Sequence, residues 1–418
     1  VDSSALPEGL IELLDAVEAG SGLPEAARAA ARGLEASLVI VDDSEKVLAS
    51  ACRSPEEERA LLSGHDTEVV ALRVGESVLG ELRLRRRSQI APAAIRMAAT
   101  LIALEVDRAR APERATEVAV SDLLSDLLGG KTTDRQDIIA RTKELGADLT
   151  HGASVLIARA HPRQPKEGNW RAQVLALVER GARAITKDCL AGACVFATSS
   201  HRRSATVERA GGIAGELVVL LGGSDEASAQ RVCASVRREL EINLTGYSFA
   251  VGRSRPVADP ADIRRAGAEA LLAVNVAAAQ DVCELSYEDT GTYRLLLPVM
   301  SEDPDELRRF HDETVAPLLS YDAQYDTELA RTLEEFLDSD ANVAKTAQKL
   351  FTHRHTVRYR LERVRELTGL DVASTEGRER LGLGLKAMRV LGIPPFQGPS
   401  TEPRANTGRG PRDDPKPR

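Results

Sequence analysis

One stretch limits the fold more than any other: Asp340 to Thr368, which reads DANVAKTAQKLFTHRHTVRYRLERVRELT. Asn342 is a good helix N-cap, and Val343, Ala344, Ala347 and Leu350 follow it at helical spacing. Phe351, Thr352 and His353 interrupt the period, with Thr352 or His353 placed to cap a second helix from Arg354 to about Leu367. Two short helices joined by so few residues must cross steeply and share one core.

The faces of the second helix carry different chemistry. At about 100° per residue, Val357, Leu361 and Val364 fall in one narrow sector and must face the core. The opposite sector holds His355, Thr356, Tyr359 and Arg363, flanked by Arg358 and Glu362. Arg354, Arg360 and Arg365 lie nearer the core boundary, where long side chains can reach phosphates. In a helix-turn-helix the second helix lies in the major groove and the first crosses the backbone. His, Thr, Tyr and Arg on its early turns can then reach base edges, while flanking arginines fix register on phosphate. The competing reading is a solvated amphipathic helix with ordinary surface charge. Glu335, Asp338 and Asp340 precede the motif, so the positive charge belongs to the second helix. The candidate DNA-binding set is Thr352, Arg354, His355, Thr356, Arg358, Tyr359, Arg360 and Arg363.

The run LEEFLDSDANVAKTAQKLFTHRHTVRYRLERVRELTGLDV resembles the C-terminal helix-turn-helix of the PucR/CdaR family of bacterial transcriptional regulators. A leading helix over Thr327 to Leu337, an NVAxTAxxL helix and a third helix ending in LTG correspond to the family pattern, including Thr356, Tyr359, Arg360, Leu361 and Gly369. His355 stands where the family commonly has Asn. Asn bonds adenine in a bidentate way and His does not, so the departure bears on which sequence is read.

Length and composition set the frame. A chain of 418 residues holds two or three domains, and 43% hydrophobic with 28% charged residues fits a globular protein. A net charge of -9 argues against a general nucleic-acid coat and for local binding. No apolar run approaches the ~18 residues that span a bilayer, so no membrane partner and a cytoplasmic location are expected. The five cysteines (Cys52, Cys189, Cys194, Cys233, Cys283) are scattered and are expected reduced and buried, with a redox pair at Cys189 and Cys194 as the alternative.

The expected architecture is an α+β multidomain chain. Residues 6–110 predict helices at Leu10 to Val17 and Pro24 to Leu34, strands at Leu38 to Val41 and Lys46 to Ser50, and a hairpin of Glu68 to Val74 with Val78 to Arg85. Ile90 to Arg110 returns as a helix. Helices around a small sheet, with VALRVGESVLGELRL as the central hairpin, resemble a GAF-type sensory domain; a purely dimerising domain is the alternative. Pro112 is expected to break the helix and to start the next, within a 111–131 connecting or dimerisation segment whose apolar face is Val118, Leu123, Leu124, Leu127 and Leu128.

Residues 132–297 predict helix Asp134 to Leu145, strand Ser154 to Arg159, helix Gln173 to Lys187 and strands Cys194 to Thr198 and Glu216 to Leu221. Helix Glu226 to Leu240, strand Tyr247 to Gly252 and helix Ile263 to Ala278 follow. The order resembles the ferredoxin-like, GGDEF-like domain of the same family. In GGIAGELVVLL, Glu216 remains from the cyclase signature, but Gly215 stands where the neighbouring carboxylate would be. One carboxylate is a poor two-metal site, so a scaffold without catalysis is expected. A helical connector (298–326), the helix-turn-helix unit (327–393) with a closing helix over 378–391, and a disordered tail (394–418) complete the chain.

Three other signals are set aside. Gly129-Gly130-Lys131-Thr132 lacks the earlier glycine of a phosphate loop and reads as a helix end. His353 and His355, two apart on a helix, are expected to point to different faces and not to clasp a metal. His65 and Asp66 read as loop polar residues. No metal, cofactor or catalytic residue is expected. The partners implied are duplex DNA at a promoter or operator and a second copy of the chain, as a homodimer or higher oligomer, with room for a small-molecule effector. The runner-up is a cyclic-nucleotide-binding or signalling regulator acting through the GGDEF-like domain.

Overall fold

The computed structural model describes residues 8–42, 46–64, 67–75, 77–88, 91–164, 170–194 and 216–393. His65, Asp66, residues 195–198, Gly215 and the tail 394–418 lie outside the described residues. The chain divides into two compact units, one up to Ser121 with 170–173, the other the remainder.

The first unit holds α1 (Glu8–Glu18), α2 (Leu23–Gly33), β1 (Ala36–Asp42), β2 (Val47–Ala51), α3 (Pro55–Leu62), β3 (Glu68–Val74), β4 (Ser77–Arg86) and most of α4 (Pro92–Leu128). Its sheet runs β2-β1-β4-β3, antiparallel throughout. The β3–β4 hairpin lies to one side with β3 at the edge, so β1 and β4 are the central pair. Alternation along β1 sends Leu38 and Ile40 to one face, against Leu10, Leu13, Ala26, Ala30, Ile95, Ile102 and Val106 of α1, α2 and α4. Val39 and Val41 go to the other, against Leu61 of α3. Ser54 caps α3, and its Oγ accepts from the Glu57 N–H.

Pro112 does not break the helix, contrary to expectation: α4 is continuous over 37 residues with Pro112 inside. Proline deletes one hydrogen bond, to the Arg108 carbonyl, and Pro112 sits on the exposed side where water can satisfy that oxygen. Val118 is exposed, whereas Val120, Leu123, Leu124, Leu127 and Leu128 are buried. Buried positions recurring every three or four residues leave Val118, two before Val120, on the far side. Leu127, Gly129 and Gly130 end the helix, with Gly130 at φ 73 and Lys131 N–H donating to the Asp126 carbonyl, so the glycine pair is indeed a helix terminus.

The second unit continues with α5 (Arg135–Glu144), β5 (Ala153–Pro162), α6 (Trp170–Arg183), β6 (Cys189–Cys194), β7 (Glu216–Gly222), α7 (Glu226–Asn243), β8 (Tyr247–Arg253), α8 (Ile263–Ala279) and β9 (Glu284–Ser286). The sheet order is β6-β7-β5-β8-β9, with only β8–β9 parallel. Strand β6 starts five residues before the expected Cys194 because β7 dictates the register, from Cys189 opposite Leu221 to Cys194 opposite Glu216. The small residues of CLAGAC carry little strand signal of their own. Helix α8 lies close on β8: a Cβ at Gly252 would stand 2.2 Å from the Val274 nitrogen.

Three helices follow, α9 (Leu297–Glu302), α10 (Pro304–Thr314) and α11 (Ala316–Tyr325), then α12 (Leu329–Asp338), α13 (Val343–Lys349), α14 (Arg354–Thr368) and α15 (Thr375–Val390). The segment expected as a connector supplies Val315 and Leu318 to one core with Leu329, Leu333, Val364, Leu381 and Met388. A smaller core joins Phe336, Ala347, Val357 and Leu361. Asn275 of α8 donates to the Val390 carbonyl at 2.7 Å, which ties the end of α15 to the GGDEF-like sheet. Among the described residues no helix is long and apolar enough to cross a membrane.

Candidate nucleic-acid interface

The helix pair begins with an acidic side chain that no local sequence pattern marks. Asp322 of α11 is buried, and its carboxylate accepts from Thr327 Oγ1 at 2.6 Å and from the backbone N–H of Leu329 and Ala330 at 2.7 and 2.9 Å. It therefore caps α12 from outside that helix. Asp340 and Ala341 (φ 56 and 59) then turn the chain. Asn342 Oδ1 accepts from Ala344 and Lys345, as its position implied.

Helix α13 ends where Phe351 N–H meets the Gln348 carbonyl and Thr352 N–H the Ala347 carbonyl. Of the two candidate caps for α14, His353 is the one used: its Nδ1 accepts the His355 N–H at 3.3 Å. That corrects the expectation for the histidine pair. His353 lies outside the helix, so the two rings do not diverge but stack, with centroids 5.1 Å apart and planes at 20°. Gly369, at φ 73, ends α14.

Val357, Leu361 and Val364 are buried, as the sector argument required. Arg354, His355, Arg358 and Tyr359 are exposed, Tyr359 to 70%, and Thr352 and Thr356 are half-buried. Among the described residues no ion pair holds Arg354 or Arg358. Two arginines behave otherwise. Arg360 turns back onto α12, donating to Glu328 at 3.2 Å and to Thr332 Oγ1 at 3.1 Å. Arg363 is not on an open outward face: it lies 4.8 Å over the Tyr321 ring of α11 and pairs with Glu366 at 2.5 Å. Glu366 and then Tyr321 hold its guanidinium still more firmly in the charged form. Lys349 of α13 is paired to Glu335 of α12 at 2.6 Å, which raises its pKa. Partners far along the chain decide these orientations, and no helical pattern in α14 announces them.

The other candidate centre is the position of Glu216. Its carboxylate is buried and takes two hydrogen bonds from Arg159, at 3.1 and 2.6 Å. The same guanidinium donates to Asn275 Oδ1 at 2.7 Å. The Cys189 and Cys194 thiols are buried, which pushes both up in pKa and keeps them protonated, and Cys283 is exposed, unlike the expectation for the set.

An exposed polar face on the second of two capped, turn-linked helices defines a helix-turn-helix protein. Comparison with known families agrees: residues 329–387 match the PucR C-terminal helix-turn-helix domain, and residues 129–276 match a GGDEF-like domain. In those two domains the chain is similar to regulators of the PucR type. It is 29% identical over 121 residues to the proline-responsive transcriptional activator PutR of Bacillus subtilis, covering 29% of each chain. It is 35% identical over 96 residues to the purine catabolism regulatory protein of the same organism, covering 23% of this chain and 17% of that one. The chain thus spans less than a third of either relative. A crystal structure of a regulator of polyketide synthase expression from Bifidobacterium adolescentis matches 65% of this chain and 92% of its own, at 18% identity and a TM-score of 0.29.

Proposed function

We propose that the chain is a sequence-specific DNA-binding transcriptional regulator that reads duplex DNA with α14. The observation that carries this is the division of α14: every apolar side chain between Arg354 and Val364 is turned into the core, while Arg354, His355, Arg358 and Tyr359 stand in water. On a protein of net charge -9, such a surface serves local contact with a polyanion better than a general coat. His355, Thr356 and Tyr359 face base edges, and Thr352, Arg354 and Arg358 hold phosphate. Arg360 and Arg363 act chiefly by holding α14 against α12 and α11.

One helix-turn-helix covers little DNA, so two copies acting on two half-sites are part of the proposal. Relatives named for proline response and purine catabolism support a small metabolite as effector, received by the GAF-like unit over 6–110. Such a metabolite must bind two states of the protein unequally if it is to shift their balance. The GGDEF-like domain is a scaffold in this reading, and the Arg159 clamp on Glu216 supports that. The nucleotide-binding alternative is not favoured. Selection of bound duplexes from a randomised library by the full chain tests the proposal: one recurring sequence is expected, and recovery of unrelated sequences refutes it.

A further inference from the structure

Phe351 is the most exposed large apolar side chain among the described residues, at 97%. Its backbone is as costly as its position. It follows the last turn of α13, where Phe351 N–H and Thr352 N–H close the helix onto the Gln348 and Ala347 carbonyls. Its φ is 49. Glycine is the usual residue there, because a side chain strains the left-handed conformation. A phenyl ring at this point gains nothing from packing and loses something in the backbone, so folding does not account for it. An outlier of this kind is a sound starting point for a functional inference.

The position is telling. Phe351 stands in the turn of the motif, two residues before the cap of α14 and three before Arg354, beside the early turns assigned to base edges. A phenyl ring has neither donor nor acceptor, so it can bond neither phosphate nor the polar groups of a base. One apolar feature is displayed in the major groove and distinguishes base pairs there: the thymine C5-methyl. Wedging between base steps is a device of minor-groove binders, whereas a helix-turn-helix enters the major groove.

Resting on the DNA-reading function proposed above, we infer that Phe351 is a specificity-determining residue whose ring packs on a thymine methyl at the edge of each half-site. The test uses the full chain and a duplex recovered by selection, synthesised once with thymine and once with uracil throughout. The change removes methyl groups and leaves every Watson–Crick bond intact. The wild type should bind the uracil duplex about fourfold more weakly for each methyl that Phe351 covers. Phe351→Gly should bind the thymine duplex correspondingly less well and lose that part of the thymine preference, while its melting temperature stays level or rises. Methyl contacts made by other side chains affect both proteins equally and cancel. An equal thymine preference in both proteins overturns the inference while leaving DNA reading intact. If selection by the wild type yields no preferred duplex, DNA reading and this inference both fall. Phe351→Asn, which also tolerates the left-handed backbone, repeats the test should the glycine variant fold poorly.

Discussion

Among the residues of α14, exposure separates those proposed to touch DNA from those that hold the helix. Arg358 is exposed, with no ionic partner among the described residues, so Arg358→Ala should leave the melting temperature unchanged. It should weaken binding across all sequences and lower the slope of log affinity against log salt by roughly one unit per copy bound, as titration at several salt concentrations will show. Tyr359→Ala should instead cost about 1–3 kcal/mol on the selected duplex and much less on a random one. Arg360→Ala is the contrasting case. It removes the bonds to Glu328 and Thr332, so thermal denaturation should show a loss of stability before any DNA is added. A melting temperature unchanged by Arg360→Ala would contradict the division. The inward sector of Val357, Leu361 and Val364 was legible because it needs only the helical period. The fates of Arg360 and Arg363 were not, because Glu328, Thr332 and Tyr321 reach them from other helices.

The elements show the same boundary between local and non-local information. Asn342 could be recognised as a cap since its bonds go two and three residues ahead. Asn342→Ala should cost about 1 kcal/mol, read as a fall in melting temperature, with the loss concentrated in α13 by hydrogen exchange. Asp322 carries no local cap signal because it caps a helix from outside it, seven and eight residues away. Proline is the weaker signal at α4: Pro112 marks a local cost, and burial on either side of it keeps the helix whole, while the glycine pair after Leu128 does end it. Pro112→Ala should therefore stabilise the chain, by up to about 3 kcal/mol, since it restores the bond to the Arg108 carbonyl. Destabilisation by that variant would mean that α4 is interrupted there. Strand β6 lies earlier than its own residues suggest, because CLAGAC forms a strand only where β7 needs a partner.

At the scale of the molecule, the partly buried Arg159 and the buried Glu216 and Asn275 connect the GGDEF-like sheet to the end of α15. Glu216 was visible in the sequence as a remnant of a cyclase signature, but its partner lay 57 positions away and could not be paired by pattern. Arg159→Met leaves a buried carboxylate alone and should cost about 3–5 kcal/mol, whereas Arg159→Met with Glu216→Leu should recover much of that loss. A double variant as unstable as the single one would contradict the clamp. The α+β order of the sheets was within reach of hydrophobic pattern, while the absorption of 298–326 into the helical cores was not, since Val315 and Leu318 meet Leu329 and Leu381 only in three dimensions. The most direct measurement of the central claim is footprinting of the full chain on the DNA that flanks its own gene. The account predicts protection of two short segments whose centres are one or more helical turns apart, about 10 base pairs each, lost in the Tyr359→Ala variant. Protection spread evenly along the duplex, or the same pattern in wild type and variant, would contradict it.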